Sequence, residues 1–461
     1  MRILLVNPNY RTVYKYVEKE ATMIQPPLGL AYIAAVLREN SFDTRILDLA
    51  ALDLDLEGAK NEISNIKPNI IGITAATNTI GEAYKIAEAV KSKNNVVVVG
   101  GPHTSILPEK TLKECKFIDI VVMGEGEYTM LEIASGNSLK NIGGIAYRVK
   151  ENIFVNKKRA PILDLDKLPF PAWDLLPIDK YWSPGVRKYP FATIVTSRGC
   201  PYGCNFCVNY TVHGKKFRAR SPENVVAEID MLVKTYAIRE LNILDDNFTL
   251  DPERVEAICN ELIGRNYDLI WKTGNGIRAD RVDRGLLERM KNAGCYLVAF
   301  GIESGDAKIL KIINKGETLE QIENAIRWSK DVGLVTEGFF MLGNEGENED
   351  TIRATIDFAK RLDLDIAQFQ VYIPLPGSSY YEKIKNEGEI FAKSWADFNA
   401  FGKPVFRHGE LTPELMERMQ KIAYREYYFR PRMILKKLRE IRSLKQLRAY
   451  LKAGLAVLKF T

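Results

Sequence analysis

The chain has 461 residues, enough for two or three domains, with 46% apolar and 27% charged residues, an ordinary soluble balance. No run of 18 apolar residues occurs, so no transmembrane helix is expected; the opening MRILLVNPNY lacks a signal peptide's apolar core and cleavage site, which points to the cytoplasm. The net charge of +6 is gathered at one end: residues 425–461 hold eleven Lys/Arg against two Asp/Glu, so the remainder is slightly acidic and no general nucleic-acid-binding surface is expected.

Residues 1–135 alternate strand and helix signals. Strand-like runs fall at residues 3–6, 44–47, 70–74, 96–99 and 118–122, with helical stretches such as 28–38, 81–91 and 128–134 between them. This rhythm predicts an α/β domain: a flavodoxin-like (Rossmann-type) doubly wound parallel sheet that binds ligands at the carboxyl ends of its strands. Those ends carry Asn9, Thr74 and Thr77, Gly100, Gly101 and His103, and Gly124 and Glu125. Glycine lets backbone approach a ligand, and small polar side chains supply hydrogen bonds without bulk. The plainer alternative is that any doubly wound domain needs such residues in its turns.

Residues 136–190 read as a linker. Residues 143–148 and 153–156 can pair as a hairpin, and a proline-rich extended stretch follows, from Pro161 to Pro190. Residues 191–400 repeat the strand–helix rhythm, with strands at 192–196, 240–244, 270–274, 296–300, 336–342 and 367–372 and helices at 222–236, 252–263, 283–292, 319–331 and 350–361. Six such units suit a partial (βα)6 barrel, with its site at the carboxyl ends of the strands. Residues 401–461 form a C-terminal helical, basic region. Ile434, Leu438, Ile441, Leu444, Leu447, Leu451, Leu455 and Leu458 recur at helical spacing, opposite lysines and arginines. Such a helix can lie on an anionic membrane surface or pack on the protein core.

Six cysteines are too few for a disulfide scaffold, and Cys115, Cys259 and Cys295 are expected to be buried apolar residues. Cys200, Cys204 and Cys207 lie on one short loop directly after the first strand of the second series, spaced C-x3-C-x2-C. Three thiolates there can hold three irons of a cubane cluster and leave the fourth iron open. A zinc site with His213 as fourth ligand is the alternative, but structural zinc sites usually pair cysteines twice and no second pair exists.

This loop, with Phe206 before its third cysteine, closely resembles the signature of the radical S-adenosylmethionine (SAM) superfamily, and the resemblance covers roughly residues 190–400. It implies a 4Fe-4S cluster on the three cysteines, SAM on the open iron, and reductive cleavage of SAM to methionine and a 5′-deoxyadenosyl radical. A reductant such as flavodoxin or ferredoxin is implied as partner. Phe206, Asp246, Glu303, Ser304 and Gly343 match positions near SAM, although the segment Gly343-Asn344-Glu345-Gly346 departs from the usual glycine-proline-glutamate pattern. Arg278 is a candidate carboxylate or phosphate partner, or one half of a salt bridge.

The order of a doubly wound domain, a linker and this core resembles the cobalamin-binding subclass. Gln25-Pro26-Pro27-Leu28-Gly29-Leu30, Gly100-Gly101-Pro102-His103 and Gly124-Glu125-Gly126-Glu127 carry that likeness. It implies cobalamin against Asn9, Thr74, Thr77, Gly100, Gly101, His103, Gly124 and Glu125. The D-x-H-x-x-G motif, whose His ligates cobalt in many other cobalamin proteins, is absent. His103 is then expected beside the corrin or in a structural turn, not on cobalt. The subclass implies hydrogen abstraction from an unactivated carbon followed by methylation from methylcobalamin, here on a hydrophobic, lipid-like or tetrapyrrole-like substrate. A cyclase or carbon-skeleton enzyme of the same architecture is the alternative. A methylthiotransferase is disfavoured because residues 1–135 offer only Cys115 for a second cluster. A non-enzymatic cobalamin or iron–sulfur sensor would not need the SAM-like segments around Asp246 and Glu303.

Overall fold

A computed structural model describes residues 1–14, 22–400 and 402–440. Five strands alternate with helices in the first unit: β1 (Arg2–Asn7), β2 (Asp43–Asp48), β3 (Ile70–Thr74), β4 (Val96–Gly100) and β5 (Ile120–Val122). They pair in parallel in the order β2-β1-β3-β4-β5, the flavodoxin-like order. Most of their Val and Ile residues are buried, on both faces, as a sheet covered on both sides requires. The helix Leu56–Ile66 is among those that carry no expectation from the sequence; only Ala59 and Ile63 are buried on it, so its apolar stripe is too narrow to read.

The linker differs from the extended segment expected. Its hairpin, β6 (Ile145–Val149) and β7 (Asn152–Val155), forms, but β6 pairs antiparallel with β5 and lengthens the first sheet to seven strands. The proline-rich stretch is a packed strap, because large apolar residues stand among its prolines. Leu165, Leu168, Trp173, Leu176 and Tyr181 are all buried, and the Trp173 indole donates to Glu228 at 3.2 Å.

In the second unit, β8 (Phe191–Ile194) leads into a short antiparallel pair, β9 (Ser197–Arg198) and β10 (Arg218–Ala219). Then come β11 (Glu240–Ile243), β12 (Ile270–Ile277), β13 (Cys295–Glu303), β14 (Val335–Leu342) and β15 (Ile366–Val371). β8 and β11–β15 make one parallel sheet in sequential order, an open (βα)6 barrel. Side-chain caps start the intervening helices: Ser221 accepts from Asn224 N, Asp251 from Arg254 N, and Thr318 from Gln321 N. Pro222 and Pro252 stand in the first turns, where the missing N–H costs nothing.

The open edge at β15 is closed by the helix Pro413–Tyr428. Gln420, Tyr424 and Tyr428 recur every four residues on one helix face and meet the strand's unpaired backbone: Gln420 Nε2 donates to Phe369 O, Phe369 N to the Tyr424 hydroxyl, and Ala367 N to the Tyr428 hydroxyl. A further helix, Pro431–Glu440, is tied to the β15 approach by Arg432 on Asp363 at 2.7 Å and by Lys436 on Asp365. Ile434 and Leu438 are exposed on it, and the amphipathic pattern from Ile441 onward lies outside the described residues. Cys115, Cys259 and Cys295 are buried free thiols, as expected. Among the described residues no helix is long and apolar enough to cross a membrane.

Candidate active site at the cysteine loop and the first sheet's carboxyl edge

The cysteine loop is pinned at both ends by two adjacent carboxylates after β11. Asp245 is buried and accepts from Thr196 N at 2.6 Å, the Thr196 hydroxyl at 2.5 Å and the Ser197 hydroxyl at 2.5 Å. Asp246 spans the loop, accepting from Gly199 N at 2.8 Å ahead of Cys200 and from Asn209 Nδ2 at 3.0 Å beyond Cys207. Gly199 has φ +86°, and a Cβ there would strike the Lys216 carbonyl, so only glycine enters this turn. Tyr202 lies under the Arg278 guanidinium, 3.6 Å from the ring centre, and its hydroxyl accepts from Arg281 Nε at 2.8 Å. Asn205 Nδ2 donates to Glu345 at 2.6 Å.

The three thiols are half-buried and free, and burial pushes their pKa values up, that of Cys207 to about 11. Among the described residues no three His, Cys, Asp or Glu side chains converge on one ion-sized point. A cubane places each thiolate on a different iron, whereas a zinc site would need all three on one ion. His213 is turned away from the zinc role: its Nδ1 stands 3.7 Å from Glu125 Oε1.

Glu303 ends β13 with φ +66° and is held by Lys315 Nζ at 3.4 Å, which also meets Glu317 at 3.2 Å. Burial raises the Glu303 carboxyl, and Lys315 pulls it back. Lys315 and Glu317 escaped the sequence reading. Their only signal is an opposite-charge pair flanking Gly316, and the fold alone brings them under the cysteine loop. Arg278 is not left for a ligand. It binds Asp280 through two nitrogens at 2.8 and 3.0 Å, donates to Lys315 O at 2.6 Å and stacks on Tyr202.

Of the other residues expected near SAM, Phe206 packs on the core of the second unit. Ser304 is fully buried, with Oγ 3.1 Å from Thr355 Oγ1, and ties β13 to the helix Glu349–Leu362. Gly343, at φ +95°, makes room for Met416, whose Sδ would lie 2.6 Å from a Cβ.

At the carboxyl edge of the first sheet, a cavity of about 270 Å³ enters between strands and helix. Thr74, Gly100, Gly101, Gly124 and Glu125 line it, joined from the second unit by Arg198, Val212 and His213. A neighbouring hollow of about 540 Å³ shares Leu28, Gly29, Thr74 and Pro102 with it and reaches Tyr10, Gln25 and Asn78. Glycines keep this cradle open. A Cβ on Gly72 would meet Leu5 at 2.8 Å, one on Gly126 would meet Ile33 at 2.9 Å, and Gly101 at φ +117° passes the Ala75 carbonyl where a Cβ would lie 2.5 Å away. An apolar, glycine-walled cleft with a few convergent polar groups fits a corrin and its appendages.

Asn9, Thr77 and His103 do not line either hollow. Asn9 Nδ2 donates to Leu54 O. His103 is buried, with Nδ1 3.4 Å from Thr77 Oγ1 and its ring edge-on to Trp395 at 4.8 Å. Burial, helped by Lys110, lowers its pKa to about 4, so the ring is neutral.

The two units are locked together at the cavity wall by buried charges. Arg198, two residues before Cys200, binds Glu125 at 3.1 Å and Glu127 at 2.7 Å; Arg218 on β10 binds Glu125 at 2.9 Å. Burial alone would raise the Glu125 carboxyl, but His213 and the two guanidiniums outweigh it and hold the pKa at about 2. Glu125, expected as a cobalamin contact, thus lines the cavity while bonded to the cysteine-loop hairpin.

An open parallel barrel bearing a three-cysteine loop, set against a flavodoxin-like sheet with a glycine-lined cleft, defines the class. The chain belongs to the radical SAM superfamily, in its cobalamin-binding subclass. Residues 194–359 match the radical SAM superfamily and residues 14–134 the B12 binding domain. An uncharacterized methyltransferase from Pyrococcus horikoshii is 37% identical over 442 residues, covering 95% of this chain and 94% of that protein. The anaerobic magnesium-protoporphyrin IX monomethyl ester cyclase of Rubrivivax gelatinosus is 29% identical over 98% of this chain and 83% of its own. Among solved structures, the radical SAM methyltransferase TsrM from Kitasatospora setae, with cobalamin and a [4Fe-4S] cluster bound, shares the fold at TM-score 0.71 and 18% identity, covering 92% of this chain and 90% of that one. The cobalamin-dependent radical enzyme OxsB shares it at TM-score 0.76 and 18% identity, covering 99% of this chain and 72% of that one. The protein is an enzyme, a cobalamin-dependent radical SAM methyltransferase or a related one, whose cofactors are a 4Fe-4S cluster, SAM and cobalamin and whose turnover needs a reductant.

Proposed function

We propose that the enzyme methylates an unactivated carbon of a substrate with a largely apolar body, of the tetrapyrrole or lipid kind. One observation carries this reading: the glycine-lined cavity is walled by Arg198, Val212 and His213, which come from the segment holding the cysteines, so the two cofactor sites adjoin. When bound, the cluster supplies the electron that cleaves SAM and cobalamin supplies the methyl group. The chain's own residues fix the geometry. Cys200, Cys204 and Cys207 hold the irons, Asp246 sets the loop, and Glu303 with Lys315 presents a charged pair for the polar groups of SAM. Thr74, Gly100, Gly101 and Gly124 shape the corrin seat. The apolar substrate body is supported by relatives named for tetrapyrroles, the cyclase above and the bacteriochlorophyllide d methyltransferases of Chlorobaculum tepidum. Cyclisation in place of methylation is the competing outcome, and labelling separates the two. With SAM carrying a deuterated methyl group, methylation delivers the label to product, whereas cyclisation yields 5′-deoxyadenosine and an unlabelled product.

The basic C-terminal segment belongs to the same proposal, as a peripheral contact that brings an apolar substrate within reach. Deleting residues 441–461 is expected to reduce binding to anionic liposomes several-fold, measured by co-sedimentation. Unchanged binding places that segment on the protein instead.

A further inference from the structure

Beyond the barrel, β16 (Glu389–Ile390) pairs antiparallel with β17 (Phe406–Arg407). Phe406 is fully buried and meets the Tyr372 ring edge-on at 5.7 Å, which roots this pair in the core of the second unit. The segment that leaves β16 reaches across to the first unit. A single turn there, Trp395–Asp397, is closed by Asp397, whose carboxylate accepts from Lys393 N at 2.8 Å and Ser394 N at 2.9 Å. The turn sets Trp395 against the successive helices Pro102–Ile106 and Pro108–Glu114. Its indole nitrogen donates to Glu114 at 2.8 Å, Lys110 Nζ stands 4.6 Å from its ring centre, and the His103 ring meets it edge-on at 4.8 Å.

His103 is the point through which this contact reaches the glycine-walled cavity. Its Nε2 has no hydrogen-bond partner among the described residues, and Nδ1 meets Thr77 Oγ1 at a long 3.4 Å, so packing holds the ring. The residues around it belong to the cavity wall or are tied to it. Gly101 and Pro102 line the cavity, and Ser105 Oγ donates to Gly101 O at 2.8 Å while accepting from Gly124 N, another lining residue, at 2.9 Å. His103 N meets Ala75 O at 3.4 Å, which joins this turn to the loop after β3. Close-packed interiors pass on a displacement instead of absorbing it, so a shift of the His103 ring moves the wall. Yet no residue of 391–400 lines either hollow.

We infer that Trp395 is a positioning residue for the corrin seat: carried on the second unit, it sets Gly101, Pro102 and Gly124 of the first through His103, without touching the ligand. It is a tie between the units separate from the buried charges around Glu125, and it makes the shape of the seat depend on a segment rooted in the barrel. The ring does this and not the indole N–H, because Glu114 also accepts from the Tyr84 hydroxyl at 2.9 Å and keeps that partner without Trp395. The inference rests on the proposed reading of the glycine-walled cleft as the place of the corrin.

The test uses the reconstituted full-length protein and hydroxocobalamin, with binding read by visible absorption and amide exchange by mass spectrometry. Trp395→Ala is expected to raise the hydroxocobalamin Kd about tenfold, the loss typical of a group that orients a ligand's direct contacts, with iron content unchanged. Trp395→Phe, which keeps an aromatic ring on His103 and drops the N–H, is expected to stay within about threefold of wild type. Coupling is reciprocal, so hydroxocobalamin should slow amide exchange across residues 391–400 of the wild type, a response that a purely structural tryptophan would not give. Unchanged affinity in Trp395→Ala, equal losses in the two variants, or exchange at 391–400 indifferent to hydroxocobalamin overturns the assignment, and the last of these needs no variant. Gly100→Leu, which adds a side chain at the cavity wall, reports separately on the seat. Unchanged affinity there removes the seat itself, whereas a loss there with none in Trp395→Ala faults Trp395 alone.

Discussion

Cys204→Ala is expected to abolish both cluster assembly and SAM cleavage. Anaerobically reconstituted wild-type protein should hold about four irons per chain and, once reduced, release 5′-deoxyadenosine. Removing one thiolate leaves two irons of the cubane without protein ligands, and no nearby group can replace it. Asp246 is committed to Gly199 and Asn209, and His213 stands against Glu125. Iron content and 5′-deoxyadenosine should fall to background, while Cys259→Ala, a core substitution remote from the loop, should retain the iron. SAM cleavage persisting in Cys204→Ala would remove the radical assignment.

The second large effect concerns the buried charges between the units. Glu125→Gln removes the carboxylate shared by Arg198 and Arg218, leaving Arg198 with Glu127 alone and Arg218 without its counter-charge. Breaking a buried pair from one side costs about 3–5 kcal/mol, so a melting temperature lower by several degrees is expected. Because Arg198 both lines the cavity and precedes the cysteines, cobalamin retention and iron content should fall together. Loss of neither would show that the lock is not what aligns the two sites. The same group predicts a pH dependence. The Glu125 pKa lies at about 2 in the folded chain against 4.5 unperturbed, so its stabilisation is complete above about pH 4.5 and is lost as pH falls toward 2. The shift corresponds to about 3 kcal/mol. Wild type should therefore lose more stability than Glu125→Gln on acidification through that window, as measured by thermal melts.

Much of the architecture was legible because it rests on short-range pattern. The periods of apolar residues mark the strands and most helices, and capping residues such as Ser221, Asp251 and Thr318 mark helix starts. The alternation of strand and helix implies parallel sheets, and the expected strand order of the first sheet is the one observed. The linker departs from the extended form its prolines imply, because prolines argue for extension but say nothing about what Trp173 and Tyr181 pack on. Among the residues expected near SAM, Asp246 and Glu303 lie at the cysteine loop, whereas Ser304 points into the interior toward Thr355. A motif locates a stretch of backbone, and the side of the strand each side chain takes is settled by packing.

The sequence by itself determined the cysteine loop, the two α/β units and their order, because three thiols within eight residues and a strand–helix rhythm are local properties of the chain. Only the tertiary structure decided which charges meet. Glu125 and Arg198 are 73 residues apart and Gln368 and Glu337 are 31 apart, and neither pair leaves a mark in spacing. Their partnership arises where strand ends from separate units are brought out of water together, and a charge or amide buried there must find its partner wherever the fold supplies one.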